Sequence, residues 1–204
     1  MIKTFSSRAG RLSSTNKNYL SLQSNCLISP ETKPKTNYPI VIDIGFGDAQ
    51  SFSEDVLINK KYCFIAIEPY KKGFARAVEF YEKEKPKNLF LYNGDAREFL
   101  EIIDYEVLFV RIHFPDPWPK KKHIKRRLIS QNFLHLLDQK ISKKGKIEII
   151  TDSKIYQDHI EEILDKQKMF KQIDSFEISY EVSTFHRKGL KKGHEVKRYV
   201  LTKI

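Results

Sequence analysis

Two cysteines, one tryptophan and eight glycines in 204 residues are few, and no apolar run comes near the length of a membrane span. Each shortage narrows the field. A spanning helix needs about 20 apolar residues, so no membrane partner is expected. Residues 1–25 are polar and lack the apolar core of a secretory signal. Cys26 and Cys63 stand far apart in no ligand spacing, which predicts reduced thiols in a cytoplasmic protein. The histidines follow no metal-binding pattern and no nucleophile elbow occurs, so no metal site is expected. No internal repeat is present.

Positive charge is what the chain has in excess. It carries 37 lysines and arginines against 26 acids, a net charge of +11. That favours an anionic partner: nucleic acid, an acidic membrane surface or a phosphorylated ligand. Apolar residues make up 40% of the chain, enough for the core of one domain. Residues 1–36 are rich in Ser, Asn, Lys and Thr without a clean period. They are expected to form a basic, partly flexible N-terminal arm in which Arg8, Arg11 and Lys17 are candidates to touch RNA.

From Pro39 the pattern alternates. Ile40–Ile44 reads as a strand buried on both faces, followed by Gly45-Phe46-Gly47 and then a helix with Ala49, Phe52 and Val56 on one face. Cys63–Ile67, Asn88–Tyr92, Val107–His113 and Lys146–Ile150 read as further strands. Lys72–Glu84, Ala96–Ile103, a helix bearing Leu128, Ile129, Phe133, Leu136 and Leu137, and residues 154–168 read as the helices between and after them. Lys143-Lys144-Gly145 reads as a turn. Gln172–Tyr180 and Lys197–Leu201 read as a closing pair of strands, the last pairing antiparallel. They flank a basic insertion, Phe185–His194. The expectation is a doubly wound α/β fold, Rossmann-like, with a mostly parallel sheet.

Acids recur at the ends of these strands: Asp43, Glu68, Asp95, Asp116 and Asp152. Ligands of such sheets bind outside the carboxyl ends, so the acids are expected to ring one crevice. Glu68 lies at the distance from Gly45 that suits a carboxylate on ribose hydroxyls. Asp48 in the glycine turn would repel a pyrophosphate, which favours a cationic nucleoside such as S-adenosylmethionine over a dinucleotide. Asp116 sits in Phe114-Pro115-Asp116-Pro117-Trp118, where two prolines preorganise the turn and two aromatic rings offer faces to a base or a cation. Six lysines and arginines follow in residues 120–127, and Arg187, Lys188, Lys191 and Lys192 form a second basic cluster read as a loop that closes on RNA.

Taken together, DIGFG at 43–47, AIEPYKKG at 66–73, GDA at 94–96, FPDPWPKKKHIKRR at 114–127, TD at 151–152 and STFHRKGLKKGH at 183–194 resemble the bacterial tRNA (guanine-N7)-methyltransferases. IKTFSSRAGRLS at 2–13 is similar to that family's basic arm. The resemblance implies a class I methyltransferase fold with a seven-stranded sheet, in a single domain over 37–204. It implies transfer of a methyl group from S-adenosylmethionine to N7 of a tRNA guanosine, conventionally position 46, by a monomer or homodimer. It assigns the cofactor to Asp43, Gly45, Gly47, Glu68, Asp95, Ala96 and Asp116, with Asp116 also the catalytic position. Lys120, Asp152, Ser183, Thr184, Phe185 and His186 would hold the target nucleotide. Lys121, Lys122, His123, Lys125, Arg126 and Arg127 would lie on the RNA. The chain departs from the family pattern at Asp43 and His186, each a glutamate there, at Ala49, a glycine, and at Ile124, an asparagine. Two alternatives are another S-adenosylmethionine-dependent nucleic-acid methyltransferase and a non-catalytic RNA-binding protein on the same scaffold. A Rossmann-type NAD oxidoreductase is disfavoured by the acidic glycine turn.

Overall fold

Strands β1 (Ile40–Ile44) and β2 (Cys63–Ile67) are buried throughout in the computed structural model, which describes residues 2–6, 10–180, 193 and 195–204. Both are apolar on either face except at Asp43, as a strand needs when helices cover both sides of the sheet. β3 (Leu89–Tyr92), β4 (Val107–His113), β5 (Ile141–Thr151), β6 (Phe170–Ile173) and β7 (Lys197–Lys203) complete a seven-stranded sheet in the order β3-β2-β1-β4-β5-β7-β6. β1 to β5 pair in parallel, and β7 runs antiparallel to both neighbours.

Alternate residues divide the core into two layers. Ile40, Ile42, Ile44, Ile65 and Ile67 face α4 (Ala96–Ile102), α5 (Gln131–Lys140) and α6 (Lys154–Lys166). Val41, Phe64, Ala66 and Phe109 face α2 (Gln50–Ile58) and α3 (Lys71–Glu84). Each such side chain taken from water contributes roughly 1.5–3 kcal/mol. α1 (Ser14–Ser21) lies outside this layer, with Tyr19 and Leu20 packed against it, and its N-terminus is closed by a reciprocal Ser13–Asn16 capping box. The chain then runs past the β3 edge, where Ile28 donates its N–H to Leu91 and Leu91 donates to Cys26. Among the described residues no helix is long and apolar enough to cross a membrane.

Three sequence expectations shift. The turn at 143–145 falls inside β5: Val107 pairs with Ile141 and Phe109 with Lys146, so the intervening residues of β5 bulge. Gly145 permits this, because a Cβ there would lie 2.1 Å from Ile141 Cγ2. The strand expected over 172–180 is only Phe170–Ile173. Residues 174–180 leave the sheet edge and cross the α2 side, where Phe176 packs edge-on against Phe109 and Ser179 exchanges hydrogen bonds with Asn59. Helix α5 begins after Leu128 and Ile129, because the Ser130 hydroxyl accepts the Phe133 N–H and caps it. Those two leucine and isoleucine side chains are buried from an extended entry segment instead. The basic insertion at 185–194, Gly193 apart, lies outside the described residues.

Candidate active site

The strand order reverses between β1 and β4, since β1 leads outward through β2 and β3 and the chain returns to β4 on its other side. A cavity of about 290 Å³ opens there, at the carboxyl ends, lined by Ile44, Gly45, Gly47, Glu68, Tyr70, His113 and Phe114–Asp116, with Thr4 and Ser6 on its outer side. Backbone chemistry shapes its floor. Gly45 and Gly47 have φ of 78° and 69°, a region that costs a side-chain-bearing residue energy. α3 packs so closely that a Cβ on Gly73 would sit 1.7 Å from the Gly47 carbonyl oxygen. Ala49, the next residue but one after Gly47, is itself left-handed at φ 65°.

The five strand-end acids do not share one environment. Glu68 is buried at the cavity wall, and its two oxygens accept the N–H groups of Gly47 at 2.7 Å and Tyr70 at 2.8 Å. Burial outweighs those bonds, and Asp116 and Asp43 add repulsion, so its pKa is pushed up to about 7. Asp116 is exposed at the cavity mouth and accepts the Ser6 N–H at 2.9 Å. Among the described residues neither acid has a salt-bridge partner. Asp43 instead points to the α2 side, 3.2 Å from the buried Arg111, which also pairs with Asp55. The Asp43 contact is an ion pair without hydrogen-bond alignment. Asp95 caps α4 by accepting the Arg97 N–H and pairs with the Arg97 guanidinium at 2.6 Å, while Ala96 is buried in the first turn. Asp152 lines a neighbouring cavity of about 460 Å³ with Pro117, Ser153 and Glu195. The expected single ring of acids is thus two acids on one cavity, one on the next, and two neutralised by arginines.

The catalytic-candidate turn is strained at both ends: Phe114 and Trp118 have φ of 51° and 43°. Left-handed non-glycine residues cost about 1–3 kcal/mol each and need support from the surroundings. The Phe114 N–H donates to Ile150 O at 2.7 Å, and Arg127 donates to Pro117 O at 3.0 Å and, more weakly, Trp118 O. Arg127 is only 6% exposed, with its guanidinium also over the Tyr156 ring, so it is placed inside the turn and not on the solvent face. Trp118 has one face taken up within the protein. Its ring is covered by the Arg126 guanidinium at 3.5 Å, and its Nε1 donates to Thr4 O. Arg126 reaches on to the carbonyls of Lys3 and Phe5. Residues 2–6 therefore lie across the turn.

The remaining basic residues are on the surface. Lys120 precedes a 3-10 helix, Lys121–Arg126, in which no residue is buried. Desolvation and the charges of Lys122, Arg126 and Lys120 hold His123 below the ordinary imidazole pKa, so the five lysines and arginines 120–122, 125 and 126 carry the charge here at pH 7. A larger cavity, about 540 Å³, lies between this helix, α4 and α5. It lacks both the glycine turn and the paired acids, so the smaller cavity at the strand ends is the better candidate for chemistry. Ser183–His186, like Arg8 and the cluster at 187–192, fall outside the described residues.

Tyr70, His113, Thr4 and Ser6 are cavity residues that motif reading did not single out. His113 was the most accessible of them, being the last residue of β4 immediately before the proline turn. The cavity suits a nucleoside carrying a cation: two acids face it, and among the described residues its lining includes no lysine or arginine for a pyrophosphate.

Comparison with known proteins agrees. Residues 37–199 match a family model described as putative methyltransferase. A tRNA (guanine-N(7)-)-methyltransferase of Wolbachia pipientis wMel is 38% identical, covering 81% of this chain and 75% of the relative. One from Alcanivorax borkumensis is 30% identical over 96% of this chain and 88% of its own. Among solved structures, an rRNA methylase from Streptococcus thermophilus superposes with a TM-score of 0.57 at 10% identity, covering 82% of this chain and 88% of that one. A putative methyltransferase from Streptococcus mutans in complex with SAH gives 0.56 at 11% identity, covering 81% and 89%. These two show a shared methyltransferase fold. The family model spans most of the chain and the Wolbachia and Alcanivorax relatives cover it at 30–38% identity, so the chain belongs to the tRNA (guanine-N(7)-)-methyltransferase family.

Proposed function

We propose that this protein transfers the methyl group of S-adenosylmethionine to N7 of a guanosine in tRNA, at position 46 of the variable loop. The observation that carries this reading is the proline turn. Phe114, Pro115 and Asp116 wall the acid-lined cavity at the strand ends, and Pro117 walls the adjoining cavity that holds Asp152. One rigid turn thus separates a nucleoside-sized cavity from a place for a target base. S-adenosylmethionine, when bound, supplies a methyl group activated on a sulfonium.

The chain's own work is binding and orientation. Glu68, fixed by two backbone N–H groups, holds the ribose hydroxyls. Gly45 and Gly47 let the backbone approach, and Asp43, Asp95 and Ala96 shape the walls behind them. Guanine N7 has a free lone pair, so no general base is required. Asp116 orients the base and stabilises the positive charge that grows on it as the methyl group arrives. To do so it exchanges the Ser6 N–H for a donor on the base. Lys120, Asp152 and Ser183–His186 hold the target nucleotide. Lys121, Lys122, His123, Lys125 and Arg126 hold tRNA phosphates, and Arg127 keeps the turn in shape. Residues 37–204 form one methyltransferase domain, with 1–36 an arm laid against it. The protein works in the cytoplasm as a monomer or homodimer.

The test is to incubate unmodified tRNA with labelled S-adenosylmethionine and analyse the digested nucleosides by mass spectrometry. The expected product is 7-methylguanosine, mapping to position 46. Another methylated nucleoside would point to a different nucleic-acid methyltransferase. Binding of tRNA without any product would point to a non-catalytic RNA-binding protein.

A further inference from the structure

His113 ends β4 and lines the cofactor cavity, yet the reading above gives it no task. Its position is built with care. Nε2 lies 2.7 Å from Oε2 of Glu148, a carboxylate with no solvent exposure. The other oxygen of Glu148 accepts from Arg198 Nε at 2.7 Å. Register explains the grouping: Glu148 of β5 faces Arg111 of β4 and Val200 of β7, so His113 and Arg198 flank it on the same side of the sheet. Tyr180 closes the other side of the imidazole edge-on, with ring centroids 5.1 Å apart. Burial alone would raise the Glu148 carboxyl, but His113 and Arg198 outweigh it and hold it below the usual range. Glu148 is thus a buried carboxylate placed to accept the Nε2–H of His113, which fixes the orientation of the ring. Among the described residues no hydrogen bond involves Nδ1, the second ring nitrogen.

The cavity poses a charge problem that this imidazole solves. The amino-acid arm of S-adenosylmethionine ends in a carboxylate as well as an amine. Glu68 and Asp116 repel that carboxylate, and among the described residues His113 is the one side chain on the lining able to carry positive charge. Thr4, Ser6 and Tyr70 can offer neutral donors only. Building on the cofactor assignment above, we propose that His113 binds the α-carboxylate of the cofactor through Nδ1, with Glu148 and Arg198 holding the ring in place.

Calorimetry with two ligands tests this. S-adenosylhomocysteine has the amino-acid arm, and 5′-methylthioadenosine shares its nucleoside but lacks that arm. In His113→Phe, which keeps a ring against Tyr180, S-adenosylhomocysteine should bind about tenfold more weakly or worse, the loss expected for one charge-assisted hydrogen bond. 5′-Methylthioadenosine should bind within about twofold of wild type, the difference expected when no hydrogen bond is lost. Glu148→Gln should shift the same ratio in the same direction by less. If His113→Phe does not fold, His113→Gln replaces it with the same expectation. An unchanged ratio, or an equal loss of both ligands, overturns the assignment of His113. If neither ligand binds wild-type protein, the cofactor reading itself fails.

Discussion

Glu68 and Asp116, at the ends of β2 and β4, face a cavity and, among the described residues, have no salt-bridge partner. Asp43 and Asp95, at the ends of β1 and β3, each lie against an arginine. All four occupy equivalent places in the topology, so position alone does not decide their role. The difference lies in what the neighbouring element supplies. β4 carries Arg111 directly beside Asp43, and α4 carries Arg97 two residues after Asp95. Those acids are neutralised within the fold and serve stability. Glu68 and Asp116 keep an uncompensated negative field, which is what a cationic ligand needs and what a folded protein otherwise avoids.

This contrast predicts opposite responses to substitution. The largest should come from the paired acids. Arg111→Met would leave Asp43 and Asp55 buried together without a counter-ion, and should cost about 3–5 kcal/mol in chemical denaturation. A loss below 1 kcal/mol would mean the pair is not a structural one. Asp116→Ala should act on chemistry instead. Methyl transfer should fall by roughly 10²–10³-fold, the range for removing one electrostatic stabiliser, while the melting temperature holds, because Asp116 is exposed and among the described residues bonds only to the Ser6 N–H. Activity close to wild type would remove Asp116 from the catalytic position.

Glu68 sharpens the contrast through pH. Its folded pKa of about 7 lies above the ordinary value of 4.5, so the folded state holds the extra proton between the two. Stability should therefore fall as pH rises through that window. Ligand binding should run the other way, because ribose hydroxyls donate to the ionised form. 5′-Methylthioadenosine should bind about tenfold more tightly at pH 8 than at pH 6. Both trends should vanish in Glu68→Gln, and a flat wild-type titration would show that Glu68 is ionised throughout. The smallest effect belongs to Asp95→Ala, which removes a helix cap and should cost about 1 kcal/mol in thermal denaturation.

Much of the fold was legible because its signals are local. Ile40–Ile44, Cys63–Ile67 and Val107–His113 have the bounds their apolar runs predict, and the antiparallel last strand follows from its place after five alternations. The errors came where local signal and packing compete. Residues 174–180 have strand-like alternation, yet Phe176 and Ile178 bury themselves on the α2 side and not along the sheet edge. Lys143-Lys144-Gly145 looks like a turn and becomes a bulge because β5 resumes its pairing beyond it. The site was legible in its motifs but not in its partnerships. Arg127 reads as the last residue of a basic run, and only its contacts with Pro117, Trp118 and Tyr156 give it to the turn. Thr4 and Ser6 reach the cavity from more than a hundred residues away from Asp116, a distance that no spacing rule spans.

By itself, then, the sequence determined the sheet's alternation, the place of the crevice and the acidic and basic halves of residues 114–127. These depend on periodicity, glycine and proline geometry and charge, which act between near neighbours. Only the tertiary structure decided which acids are neutralised, which arginine clamps the turn, and that the arm lies over Asp116. Those outcomes depend on which side chains distant segments bring within a few ångströms. Electrostatic and hydrogen-bond energies fall off too steeply with distance and solvent exposure to be read from order along the chain.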